Sequence, residues 1–288
     1  MARRPTASSR APIITRTFVA LALLATALWA GWARAEQKPL WELGLGVGAI
    51  VFRDYRGADS SSAYPLPVPY FVYRGKYLQS DRDGLNTRLF NQERVELRLS
   101  LNATPPVSQS PTRAGMPKLR PTVEAGPSLD LHLWESAADK VKLAVNLPLR
   151  AAFTIERTPH AIGWFFAPHV NVDIEDALGH SDWNLGLQAG PLFANRRYHD
   201  YFYSVAPQYA TADRPVFTAA GGYSGTQFLA ALSKRFPAYW VGGYVRYDTL
   251  AGAHFTASPL VKQDSYWMAG VAVTWMIRES DRRVEVDD

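Results

Sequence analysis

Residues Lys140–Glu156 place Val141, Leu143, Val145, Leu147, Leu149, Ala151, Phe153 and Ile155 at odd positions. The even positions hold Lys142, Ala144, Asn146, Pro148, Arg150, Ala152, Thr154 and Glu156. This is apolar/polar alternation at the strand period of two, sustained longer than most strands of water-soluble proteins last. A helix would scatter Lys142, Asn146, Arg150 and Glu156 around its surface among the leucines. A strand of this length with one wholly apolar face suits a tilted crossing of a bilayer, with lipid on one side and a polar lumen on the other. A long strand of a soluble sandwich is the competing reading, and the rest of the chain has to decide.

The N-terminus bears on that choice. Arg3, Arg4, Arg10 and Arg16 precede an apolar run from Phe18 to Trp32, and Ala33-Arg34-Ala35 supplies small residues at cleavage positions. This pattern predicts a secretory signal peptide over residues 1–35, cut after Ala35, since the apolar run is shorter than the roughly 20 residues a spanning helix needs. Pro5 behind Arg3-Arg4 argues against a twin-arginine signal, and the absence of cysteine removes both lipid attachment and a disulfide framework. The charge argument changes with cleavage. The 31 Lys and Arg fall to 26 once the leader's five Arg are gone, against 26 Asp and Glu. A formally neutral mature chain gives no support to a nucleic-acid partner.

The alternation recurs along the mature chain. Trp41, Leu43, Leu45, Val47 and Ala49 oppose Glu42, Gly44, Gly46 and Gly48; Val95, Leu97, Leu99 and Leu101 oppose Arg94, Glu96, Arg98 and Ser100. In 120–134, Val123, Ala125, Leu129, Leu131 and Leu133 face out and Glu124, Ser128, Asp130 and His132 face in; in 162–176, Ile162, Trp164, Phe166, Val170, Val172 and Ile174 oppose His169, Asn171, Asp173 and Glu175. The Gly44-Gly46-Gly48 spacing lies inside a strand pattern, not between strand and helix, so it is small residues facing a crowded lumen and not a dinucleotide loop. Further strands are expected at 65–74, 76–82, 84–90, 182–195, 225–236, 239–250 and 265–278, giving about twelve. The long connections (53–64, 103–119, 196–224, 251–264) then fall on one side, and the short ones (75, 91–92, 135–139, 177–181, 237–238) on the other. An outer-membrane β-barrel sorts its loops this way, with short periplasmic turns and long external loops. The expected fold is therefore an all-β transmembrane antiparallel barrel of about 12 strands over residues 36–278, with a charged periplasmic tail at 279–288. Pro127, Pro148, Pro168 and Pro191 sit inside proposed strands, where each removes a ladder donor, and predict bulges or shortened strands.

Two stretches of the second half carry a family resemblance: Gln188–Gly225, with Tyr201-Phe202-Tyr203-Ser204-Val205 at its centre, and Tyr244–Val261, ending Ser258-Pro259-Leu260-Val261. They resemble the MipA/OmpV family of Gram-negative outer-membrane proteins, the MltA-interacting protein group; Ser204 stands where the family usually has Gly. Leu43–Phe52 and Pro67–Tyr73 fit the family's glycine-rich first strand and Pro-Tyr second strand more loosely. Members commonly close their last strand with an aromatic residue, which the barrel-assembly machinery reads; here Ile277 holds that place and Arg278–Asp288 follows. The resemblance implies an outer-membrane location and a non-enzymatic scaffold that links a lytic transglycosylase and a peptidoglycan synthase, with a narrow diffusion channel or an adhesin as the alternative.

Chemistry sought along the chain finds little to support it. Ser128, Asp130 and His132, with Glu124, hold hydrolase residue types, but alternate residues on one strand lie about 7 Å apart, too far for a direct Ser–His hydrogen bond. Paired lumen charges, drawing on Arg94, Glu96, Arg98, Lys142, Arg150, Asp173 and Glu175, account for them better, and an outer-membrane lipid hydrolase is the lesser reading. His169, Asp173 and Glu175 span about 20 Å of strand, too far for one ion. No catalytic, cofactor-binding or metal-binding residue and no cofactor is predicted. Trp164, Trp183, Trp267 and Trp275 fall near strand ends, where an interfacial girdle contacts outer-membrane lipid. The Tyr-rich loop Tyr198–Ser224 is the best candidate for an external contact surface, and packing of the barrel mouth explains its aromatic content equally well.

Overall fold

In the computed structural model, residues 36–74, 78–81, 84–87, 90–92, 94–107, 110–179 and 181–286 are described. The expected leader and the expected turn at Gly75 lie outside them. The chain divides into two compact units, residues 39–282 and residues 283–288 with the first 38. In the smaller one, β1 (Glu36–Pro39) pairs with β16 (Arg283–Val286), so part of the stretch read as a charged tail is a strand.

The larger unit carries β2 (Trp41–Arg53), β3 (Ser61–Arg74), β4 (Leu78–Asp81), β5 (Gly84–Thr87), β6 (Phe90–Gln92), β7 (Val95–Thr104), β8 (Thr122–Ser136) and β9 (Val141–Thr154). It continues with β10 (Ala161–Phe166), β11 (His169–Ile174), β12 (Trp183–Ala194), one helix α1 (Arg196–Tyr203), β13 (Gly222–Arg235), β14 (Tyr239–Thr249) and β15 (Ser265–Glu279). Neighbours pair antiparallel in the order β5-β4-β3-β2-β15-β14-β13-β12-β10-β9-β8-β7-β6, and β11 continues β10 between β9 and β12. β5 also runs beside β7, which brings the two ends of this path together. Counting β10 and β11 as one interrupted crossing and β4–β5 as a short hairpin, the barrel has about twelve strands. The segment 91–92, expected as a turn, is strand: Gln92 pairs with Val95.

The alternation sets the wall as expected. On β2, Leu43, Leu45, Val47 and Val51 are exposed while Glu42, Gly44 and Gly46 are buried. A Cβ on Gly46 would come 2.1 Å from the Val273 carbonyl oxygen of β15, so the small residue lets two strands and the inward Thr274 pack closely. Ile162 departs from the expected outward face. A register shift between Ala161 and Gly163 turns it into the buried loop core. Gly163 has φ +137, and a Cβ there would sit 2.3 Å from Asn195 Oδ1, the atom that caps α1. Only glycine fits both constraints.

The four prolines resolve into one feature. β8 pairs Ser128 with Pro148 of β9, and Gly126 and Pro127 have no partner on that side. Pro148 in turn lies where β10 ends and β11 begins, and its carbonyl accepts from Ala167 N. Pro168 fills that break, facing Gly190 and Pro191 of β12. The missing donors are thus stacked side by side across four adjacent strands as a single seam of interrupted pairing.

Candidate functional site: the loop-capped mouth and the charged lumen

The long connections converge at one end of the barrel and build their own apolar core. Tyr55 and Ala58 come from the first, Val107 and Leu119 from the second, Phe202, Tyr203, Val205 and Ala219 from the third, and Leu250, Ala253, Phe255 and Leu260 from the last. Asn195 starts α1 by accepting hydrogen bonds from Tyr198 N (3.1 Å) and Trp164 N (3.0 Å), which ties the helix to the rim of β10. Tyr198 then lies on Phe165 (5.1 Å between centroids), and Tyr203 stacks flat on Phe255 (3.7 Å, 4°). The two family-like motifs meet here. Ser258 Oγ donates to the Tyr203 carbonyl (2.7 Å), and the Leu260 carbonyl accepts from Tyr55 Oη (2.7 Å). Burial pushes the Tyr55 hydroxyl up to about 12, which keeps it a donor. Ser204, standing where glycine is usual, has an extended φ of −78. Its Oγ donates to Asp200 and accepts from Ala219 N, so the position needs no glycine and the hydroxyl braces the loop.

Beneath this layer the inward side chains form ion pairs. Glu124 is 2% exposed, lies in an ion pair with the Arg150 guanidinium (Nε at 3.1 Å), and accepts from the Tyr198 hydroxyl (2.9 Å) and Asn102 Nδ2 (3.3 Å). Asp248, fully buried, lies between Arg246 (2.7 Å) and Arg56 (3.4 Å), and Arg56 Nε donates to Tyr266 Oη. Arg98 bridges Glu96 (2.8 Å) and Asp130 (3.1 Å). Toward the other end, Arg235 pairs with Glu42 (3.4 Å). Glu42, Glu96, Glu124, Asp130 and Asp248 thus each meet a guanidinium, as low-dielectric burial favours, while buried Asp54 accepts from the Ser60 and Ser62 hydroxyls instead.

The residues weighed for chemistry are not brought together. Ser128 Oγ donates to Asp130 (2.6 Å), and His132, with a side chain 45% exposed, points at Glu96 (3.6 Å). His169 Nδ1 faces the Ala167 carbonyl, Asp173 accepts from Asn171, and Glu175 pairs with Lys142. Among the described residues no group of three His, Cys, Asp or Glu converges. A serine–histidine contact does occur elsewhere, between His199 Nε2 and Ser224 Oγ (2.7 Å), with Nδ1 donating to the Ala220 carbonyl. Burial pushes the His199 pKa down, so the neutral ring accepts the serine proton. At 1% and 2% exposure, under Phe255 and Tyr203, this pair pins the helix to β13 and offers no path to a substrate. Sequence reading missed it because both residues fall in the stretch 196–224, expected to be a loop, 25 residues apart and with no period to bring them together.

The outer surface completes the picture. On β15, Trp267, Val271, Trp275 and Ile277 are exposed and alternate with buried Tyr266 and Thr274. The ten residue-to-residue steps from Trp267 to Ile277, at about 3.3 Å each and a tilt near 40°, cover about 25 Å of membrane normal, the height of an outer-membrane apolar band. Trp164 on β10 is likewise exposed, while Trp183 is half-buried with the Lys234 ammonium over its ring (5.8 Å). A barrel with an apolar belt, a charge-paired lumen and long loops gathered at one end is an outer-membrane β-barrel protein. The family described as MltA-interacting protein MipA matches residues 45–277, and the chain belongs to that family. It is 22% identical over 213 residues to outer membrane protein Omp26La of Vibrio anguillarum, covering 71% of this chain and 76% of that protein. The same figures hold for outer membrane protein OmpV of Vibrio cholerae. Among solved structures, the NanC porin aligns over 81% of this chain and all of its own at 10% identity, with a TM-score of 0.38. The toluene transporter TbuX of Ralstonia pickettii aligns over 85% of this chain and 71% of its own at 8% identity, with a TM-score of 0.24.

Proposed function

We propose that this protein is a non-conducting, non-enzymatic anchor in the outer membrane that holds a lytic transglycosylase, and through it a peptidoglycan synthase, against the periplasmic face of the barrel. The family description, MltA-interacting protein, supports the first partner. The observation that carries the non-conducting part is the loop core. Phe255, Tyr203, Leu250 and Leu260 are packed across the mouth at 0–3% exposure, where a diffusion channel needs a wet constriction. A periplasmic enzyme reaches only the short-turn end. There Lys140 of the turn at 137–140 pairs with Asp176 of the turn after β11 (2.7 Å), and Asp176 also accepts from Asp182 N within its own turn (2.7 Å). The Lys140 ammonium, donating to it, holds the Asp176 carboxyl below its usual range. Two measurements test the reading. Single-channel recording in planar bilayers is expected to give no steady conductance, and a photocrosslinker placed in 137–140 or 175–182 is expected to capture a murein hydrolase from whole cells. Steady conductance with no such adduct would replace the anchor by a channel.

A further inference from the structure

The outward series of β9 ends in a change of chemistry. Leu149, Phe153 and Ile155 are exposed on the outer wall, and a chain that keeps the period of two reaches Arg157 next. The hairpin carrying Arg157 is closed by Thr154 N donating to the His160 carbonyl (2.9 Å), and Ile155 N ties it to the Pro121 carbonyl ahead of β8 (2.7 Å). Arg157 therefore stands where the apolar band gives way to headgroups.

Two more arginines lie on the same arc of the mouth. Arg120, just before β8, donates its backbone N–H to the Tyr201 hydroxyl of α1 (2.8 Å). Arg197 lies one helical turn before Tyr201, on the side of α1 away from buried His199, Phe202 and Tyr203. The carboxylates of this arc are already engaged. Glu156 accepts from Thr154 Oγ1 (2.8 Å) and faces His160 Nδ1 (3.2 Å) and Arg120 Nε (3.8 Å); Asp200 pairs with Arg196 (3.5 Å) and accepts from Ser204. Arg157 and Arg197 are exposed and have no hydrogen bond or ion pair among the described residues. Across the mouth, over β2, β3, β14 and β15, the charges cancel: 53–64 and 251–264 hold Arg53, Arg56 and Lys262 against Asp54, Asp59 and Asp264.

A lone exposed arginine is ordinary on any surface. These two differ because an outward apolar column runs beneath them: Ile155 and Phe153 from β9, and Trp164 on the adjacent β10, are all exposed. Anion and acyl chain are thus met side by side. We propose that this arc docks a membrane lipid whose headgroup carries two phosphates, as the lipopolysaccharide of an outer leaflet does. Arg157 and Arg197 hold the phosphates, and Ile155, Phe153 and Trp164 lie along the acyl chains. A guanidinium fork matches phosphate oxygens bidentately, and two forks on separate elements leave one unmatched by a headgroup with a single phosphate. The inference rests on the outer-membrane location and not on the anchoring role, and it stands if that role is refuted.

The test is native mass spectrometry of the full chain refolded in an uncharged detergent. The chain is titrated with diphosphoryl lipid A, with the same lipid stripped of both phosphates, and with phosphatidylglycerol. Diphosphoryl lipid A is expected to be retained about tenfold more tightly than either of the others, and less tightly as salt rises. A cation at an anionic membrane surface is worth about fivefold in affinity, so Arg157→Gln/Arg197→Gln is expected to weaken retention about tenfold or more. Neither side chain has a contact among the described residues to lose, so the variant keeps its fold. Lys262→Gln, on the neutral arc and exposed, is expected to leave retention unchanged. Equal retention of the phosphate-free lipid or of phosphatidylglycerol, a double variant that matches the parent, or an equal loss in Lys262→Gln overturns the proposal.

Discussion

Phe255→Ala separates the loop layer from the barrel that carries it. Phe255 is 1% exposed, stacks on Tyr203 at 3.7 Å and meets the His199 ring edge-on at 4.8 Å. It belongs to no strand, so its removal leaves the barrel ladder untouched. Deleting a fully buried phenylalanine costs about 3–5 kcal/mol from lost transfer energy plus the cavity left behind, the stacking included. At one decade per roughly 1.4 kcal/mol, the population of opened loops rises by about two to three and a half decades. Native-state hydrogen exchange on the folded protein in detergent reads this at two amides: Val205 N, bonded to the Phe217 carbonyl, and Ala253 N, bonded to the Leu250 carbonyl. Their protection is expected to fall by at least a hundredfold, while amides in the centres of β13 and β14 keep theirs. A loss below tenfold at both loop amides would mean the core contributes little. Equal losses in loops and strands would mean one cooperative unit, and the picture of a lid built on a finished barrel would fail.

Other consequences can be measured. Removing Glu124 alone, as Glu124→Gln, leaves Arg150 buried without its carboxylate and should cost about 3–5 kcal/mol of thermal stability, and Glu124→Gln/Arg150→Met should recover part of it. Because burial lowers the His199 pKa, the folded loop layer binds fewer protons than the open one; protection of the α1 amides should be constant above about pH 6.5 and decline as pH falls below it. In His199→Gln that pH dependence should vanish, whatever the absolute protection. Brominated acyl chains should quench Trp267 and Trp275, so replacing either by Phe reduces the quenchable fraction; Trp240, turned inward on Tyr70 at 6.4 Å, should be silent.

What could be read from the residues alone follows from the physics of each part. Lipid and lumen impose opposite solubilities at a fixed period of two, so Leu43, Leu45 and Val47 against Glu42, Gly44 and Gly46 announce their faces without any knowledge of partners. The sorting of loops follows from strand counting. The loop layer has no such period. Asn195 capping α1 is visible only once the backbone that brings Trp164 N to the same oxygen is known. Ile162 fits the outward pattern and is buried because a bulge intervenes, and a bulge adds a residue that alternation cannot register. Arg56 with Asp248, and Tyr198 with Glu124, join positions 192 and 74 apart across the lumen, so the charges were readable as a class but not as pairs.

The prolines show why reading them one at a time misleads. Each alone contradicts a closed wall, because a barrel has no edge at which a missing donor can be hidden. Placed at one level across β8, β9, the β10/β11 break and β12, they need no edge, since the partner that would have received each donor is also withdrawn from pairing at that level. Gly126 and Gly190 complete the arrangement. A Cβ on either would lie 2.0 Å from a carbonyl oxygen of the neighbouring strand, Leu149 O and Pro168 O respectively, so the strands approach there more closely than a regular ladder permits. Arg150, paired with Phe165 just above the seam, reaches Glu124, which also accepts from Tyr198 of the lid. The irregular stretch of wall, the lumen ion pair and the helix that closes the mouth are therefore mechanically continuous. In that continuity the wall's defects and the lid are parts of one construction, because the helix is seated on the strands whose pairing the seam interrupts.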